Sequence, residues 1–126
     1  MKLAEVLLEN MMDNLIDLCK QELQLNDMPN IQLVDEPAVG GGSSFGEFTD
    51  NGIQVATKNR HPIDVMRTLA HELVHYKQRL DGEEMDGADG SDTENQANAT
   101  AGLIMRRFGK AYPECFTLQS SPFIFQ

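Results

Sequence analysis

Apolar residues recur at helical spacing in three stretches of the chain. In residues 2–25, Leu3, Val6, Leu7, Met11, Leu15, Leu18, Leu23 and Leu25 mark one side of an amphipathic helix. Asp27-Met28-Pro29-Asn30 ends it. A second helix opens at Pro62, whose missing N–H costs nothing in a first turn, and runs to about Leu80 with Gly82 as its stop. A third opens at Ser91-Asp92-Thr93, all residue types that cap helix N-termini, and runs to Phe108 before Gly109. Between the first two helices the pattern shortens to strands. Ile31–Val34, Phe45–Thr49 and Ile53–Thr57 are strand candidates, and the last two flank Asp50-Asn51-Gly52, a strong hairpin signal. Pro37 and the run Gly40-Gly41-Gly42-Ser43-Ser44 read as loop, and residues 110–126 as mostly irregular, with an extended piece at Phe116–Leu118. These elements predict an α+β fold, with an N-terminal helix, a small mainly antiparallel sheet and two further helices. At 126 residues, 1–126 reads as a single domain.

The second helix carries the chemistry. Its sequence His71-Glu72-Leu73-Val74-His75 is an H-E-x-x-H pattern, and all three histidines of the chain lie within 61–75. Residues four apart sit one above the other on a helix face, so both imidazoles can bind one zinc ion. Glu72, one position round, can reach a water on that metal and act as general base. On a helical wheel Met66, Leu69, Ala70, Leu73 and Val74 cluster on one side. His71 and His75 fall on the other, with Asp64, Thr68 and Gln78 nearby.

A catalytic zinc site takes a third protein ligand and leaves a fourth position open. No histidine follows His75, so the third ligand is a carboxylate or His61. Glu94 is the best placed: it begins the third helix, after a loop long enough to reverse the chain. Ala97 and Ala101 permit that helix to approach closely, and Asn98, one turn after Glu94, can accept a hydrogen bond from a ligand imidazole. For the oxyanion of a hydrolytic transition state, Tyr112, Arg106, Arg107 and His61 are candidate donors, with Tyr112 the foremost; Tyr76 turns away from the metal face.

Charge narrows the partners. Twenty acids against ten bases give a net charge of −10. Such a chain lacks the basic footprint of a nucleic-acid binder and is repelled by anionic membranes. Seven of the acids lie in Asp81–Glu94; residues 81–93 read as an acidic loop between the two metal-binding helices. The segment fits no register of a calcium-binding loop and reads as solvated; where it borders the cleft it favours basic substrates. The N-terminus is interrupted by Glu5, Glu9, Asp13 and Asp17, so it reads neither as a signal peptide nor as a membrane span. The two cysteines, Cys19 and Cys115, read as free thiols, and the expected location is cytoplasmic.

His71-Glu72-Leu-Val-His75, followed by Glu94-Asn-Gln-Ala97-Asn98-Ala-Thr-Ala-Gly-Leu-Ile-Met105, resembles the zinc metallopeptidases of the ImmA/IrrE type and, more broadly, a gluzincin. The match covers about 45 residues, 62–106. It implies a zincin-like minimal metallopeptidase with one zinc per chain, His71, His75 and Glu94 as ligands and Glu72 as base. It also implies a peptide or protein substrate bound as a strand along the sheet edge, expected near Ile53–Thr57. Thr100 stands where the family has an aromatic, Arg106 where it has a proline, and no DNA-binding helix-turn-helix follows. The SprT-like zinc proteases share H-E-x-x-H but take a third histidine downstream, which this chain lacks. Small zincin-like proteins of this size also occur in tailed phages. The alternative is a non-catalytic zinc-stabilised binding or structural module. It would need no base, and Asp89 or Asp92 would close its site.

Overall fold

The computed structural model describes residues 3–34, 46–49, 52–58, 60–82 and 92–113. They form α1 (Leu3–Glu22), β1 (Ile31–Val34), β2 (Gly46–Thr49), β3 (Gly52–Ala56), α2 (Pro62–Leu80) and α3 (Asp92–Ala111). The glycine run at 40–42, the turn residues Asp50 and Asn51, residues 83–91 of the acidic loop, Cys115 and the extended piece at 116–118 lie outside the described residues.

The expected α1 overran its end. Gln24 takes a left-handed conformation (φ 53°). The Leu25 N–H then reaches back to the Lys20 carbonyl at 3.0 Å and the Gln24 N–H to the Gln21 carbonyl at 3.3 Å. This pair of bonds is a Schellman closure, and the apolar residue that follows it, Leu25, is buried as that motif requires. The apolar spacing continued to 25 because the cap itself packs on the core.

The sheet corrects a second expectation. It is mixed, in the order β1-β3-β2, rather than mainly antiparallel. β2 and β3 form the antiparallel hairpin, with Gly46 opposite Val55 and Thr49 opposite Gly52. β1 joins β3 in parallel, from Ile31 opposite Ile53 to Val34 opposite Ala56. β3 is therefore central, and Ile53–Thr57 is not a free edge for a substrate strand. Its nearly continuous burial fits a strand paired on both sides. Bonds from Ile53 N–H to Asn30 O (2.7 Å) and Thr57 N–H to Val34 O (2.9 Å) carry the parallel pairing past both ends of the ladder. Gly52 begins β3 at φ 118°, and a Cβ there would lie 2.1 Å from the Asn30 carbonyl oxygen, so only glycine fits.

α2 spans the expected residues, bracketed by Pro62 and by Gly82, which has φ 81°. Val65, Met66, Leu69 and Leu73 are fully buried against Leu15 and Cys19 of α1, Ile53 and Val55 of β3, and Ile104 and Phe108 of α3. Burial pushes the free Cys19 thiol up to about 12, which leaves it unreactive. Arg60 ties the end of β3 to the first turns of α2. Its guanidinium donates to the Ala56 carbonyl (2.7 Å), the Asp64 carbonyl (3.0 Å) and the Thr68 hydroxyl (2.6 Å).

α3 begins where expected but does not stop before Gly109. That glycine is buried within the helix, and packing outweighs its poor helix propensity. Just beyond, the Tyr112 N–H still bonds the Phe108 carbonyl at 2.8 Å, and the two rings sit 5.0 Å apart. No helix among the described residues is long and apolar enough to cross a membrane.

Candidate metal centre

α2 and α3 lie side by side, with the small Ala97 and Ala101 buried between them and the core. That approach places the first turn of α3 over the histidine face of α2. The face is therefore covered rather than solvated, although the helical wheel put it opposite the apolar stripe.

Three donor atoms converge there. The Nε2 atoms of His71 and His75 are 3.1 Å apart, and the rings meet edge to face at 87°. The Glu94 carboxylate spans both, with Oε1 3.0 Å from His71 Nε2 and Oε2 3.0 Å from His75 Nε2. Two ligands held 2.0–2.1 Å from a tetrahedral zinc are about 3.3–3.4 Å apart, so these separations need change by only a few tenths of an ångström. The group can hold a metal ion. The three side chains keep 13–19% of their surface, so the group is enclosed but not sealed from solvent.

Burial, the largest influence, lowers the pKa of His71. The Glu94 carboxylate opposes this, and the neighbouring His75 adds to the lowering. The outcome favours the neutral imidazole, the form that binds a metal.

Glu94, the carboxylate sought in the sequence, is the third member of the group that could hold a metal ion. Asn98 lies on the exposed side of α3, one turn after Glu94. Glu72 follows His71 on α2, partly buried and outside the three-donor group. His61 is employed elsewhere: it caps α2, its Nδ1 accepting the Ile63 N–H at 3.0 Å. Asp92 is exposed and outside the group, and Asp89 lies outside the described residues.

Tyr112 is a correction. It lies just beyond the end of α3 opposite to Glu94, 18 residues on, or about 27 Å at 1.5 Å per residue. Its ring packs on Phe108, so it cannot stabilise a transition state at the histidines. Arg106 and Arg107 lie on the same distant half of the helix, and Arg107 is paired with Glu22 of α1. Tyr76 packs against the core, turned from the metal face as expected.

One residue of the site went unassigned in the sequence. Gln78 is 2% exposed, and its Oε1 lies 2.8 Å from His75 Nδ1. Its Nε2 donates to the Thr93 carbonyl at 3.0 Å and to Gln96 Oε1 at 2.9 Å. The signal was its place on the wheel, one turn beyond His75 on the histidine face.

Comparison with protein-family models, with curated proteins and with solved structures finds no match to this chain.

Proposed function

We propose that the chain is a zinc-dependent peptide hydrolase, with one zinc per chain held by His71, His75 and Glu94. The observation that carries this reading is the convergence of two imidazole nitrogens and a carboxylate within 3.0–3.1 Å. Nitrogen donors favour zinc over calcium or magnesium, which take oxygen ligands. Three protein ligands are the catalytic count; no fourth His, Cys, Asp or Glu joins them among the described residues.

A zinc ion held by His71, His75 and Glu94 would supply Lewis-acid polarisation of a scissile carbonyl and would acidify water. Glu72, beside His71 on the same helix, takes the proton of the attacking water and delivers it to the leaving amine. Glu94 brings a negative charge that offsets part of the metal's. An extended substrate segment lies against β2, the edge strand that packs on α2, as a further strand. The chain resembles the gluzincins of the ImmA/IrrE type. The resemblance is supported by the H-E-x-x-H helix and by a glutamate in the first turn of the next helix.

The test is cleavage of an unbiased peptide library by the zinc-loaded protein. Expected is chelator-sensitive cleavage that falls by about 100-fold or more in Glu72→Gln, a variant that keeps its zinc. A zinc-loaded wild type that cleaves no peptide would leave a non-catalytic zinc-stabilised module.

A further inference from the structure

Gln78 is a buried amide at the back of the site, and its orientation follows from atoms whose roles are fixed. The Thr93 carbonyl can only accept a hydrogen bond. The Gln78 atom 3.0 Å from it must therefore be the nitrogen, and the oxygen faces His75 Nδ1 at 2.8 Å. That oxygen also can only accept, so His75 Nδ1 carries a proton. In neutral His75 the Nε2 lone pair is then bare, and it points at the gap shared with His71 and Glu94. The second proton of the Gln78 amide is spent on Gln96 Oε1 at 2.9 Å, so the amide is held by two bonds to α3.

Resting on the zinc reading, we propose that Gln78 is the positioning residue of the metal centre: it fixes His75 as an Nε2 ligand and does so only while the first turn of α3 is docked. Glu94 and Thr93 are neighbours in that turn. One docking event therefore delivers the third ligand and, through the Thr93 carbonyl, the tautomer of the second. The centre is assembled by α2 and α3 together.

The experiment uses the full chain, ¹⁵N-labelled at histidine, with zinc as the probe. Imidazole ¹⁵N spectra are read on the metal-free protein at about pH 8.5, two units above an ordinary histidine, and again after zinc loading. Expected is a His75 protonated at Nδ1 in both forms, with that proton exchanging slowly with water. In Gln78→Leu the metal-free ring shifts toward the Nε2–H tautomer, the Nδ1 proton exchanges rapidly, and zinc affinity drops about 10–100-fold. Gln96→Ala, which frees one of the two anchors, gives a smaller drop. An Nε2-protonated His75 in the metal-free wild type overturns the proposal without recourse to any variant. So does a folded Gln78→Leu with unchanged affinity and exchange. A wild type that binds no zinc while His75 still shows the Nδ1–H tautomer refutes the zinc reading instead and leaves the hydrogen-bond relay standing.

Discussion

The two sides of α2 are both covered, and they are held by different physics. On one side Val65, Met66, Leu69 and Leu73 lose all contact with water against α1, β3 and α3. Non-directional burial stabilises that side, in proportion to area. On the other, His71, His75 and Gln78 meet α3 through hydrogen bonds of fixed direction, ending in three electron-pair donors that face one another. Such a cluster is comfortable only around a positive charge, a proton or a metal ion. The apolar side holds the fold together, and the polar side gathers a group that could hold a metal ion.

Changes that separate the two sides follow in order of expected size. Leu69→Ala opens a cavity on the apolar side and costs about 2–5 kcal/mol of stability in a denaturant melt. It leaves zinc stoichiometry unaltered. Should it abolish zinc binding in the folded protein, the two sides are not independent. Zinc added to 100 times its dissociation constant stabilises the wild type by about 2.7 kcal/mol, read as a rise in melting temperature. Glu94→Gln removes most of that rise. Gly52→Ala sits on the sheet, far in sequence from the histidines, and forces a Cβ toward the Asn30 carbonyl. It lowers stability by about 1–3 kcal/mol through backbone strain and leaves zinc affinity alone.

A pH series sharpens the polar side further. Ligand imidazoles must be neutral, so zinc affinity falls as pH is lowered. Burial depresses the pKa of His71. Its contribution is thus complete above the ordinary value of about 6.5 and is lost only as pH falls through a lower one. A titration of zinc affinity whose His71 step lies above that ordinary value contradicts the described burial. Smallest is Arg107→Ala, which breaks the exposed pair with Glu22 between α3 and α1. It costs about 0.2–1 kcal/mol and moves no property of the metal centre.

What could be read in advance was whatever is written locally. α2 was legible to its ends because Pro62 and Gly82 punctuate it, and H-E-x-x-H is a pattern internal to one helix. Glu94 was legible because a loop and one helical turn place it. The parallel pairing of β1 with β3 was not, since it joins residues 22 apart through a crossover that no turn residue announces. The hairpin signal at Asn51-Gly52 pulled the reading toward an antiparallel sheet. Gly109 looked like a helix stop because propensity says nothing of the packing that carries α3 to Ala111. Tyr112 has the right chemical type for an oxyanion donor but the wrong place, because the rise of the helix sets it far from Glu94. Gln78 was on the right face but was not given a role, because its partners come from the next helix.

The most direct test of the account is the zinc content of the purified, zinc-reloaded protein, by elemental analysis, beside His71→Ala, Glu94→Gln and Glu72→Gln. The account predicts one zinc per chain in the wild type and in Glu72→Gln, with His71→Ala and Glu94→Gln largely empty. A wild type that takes up no zinc, or one that binds it equally well without Glu94, would contradict it.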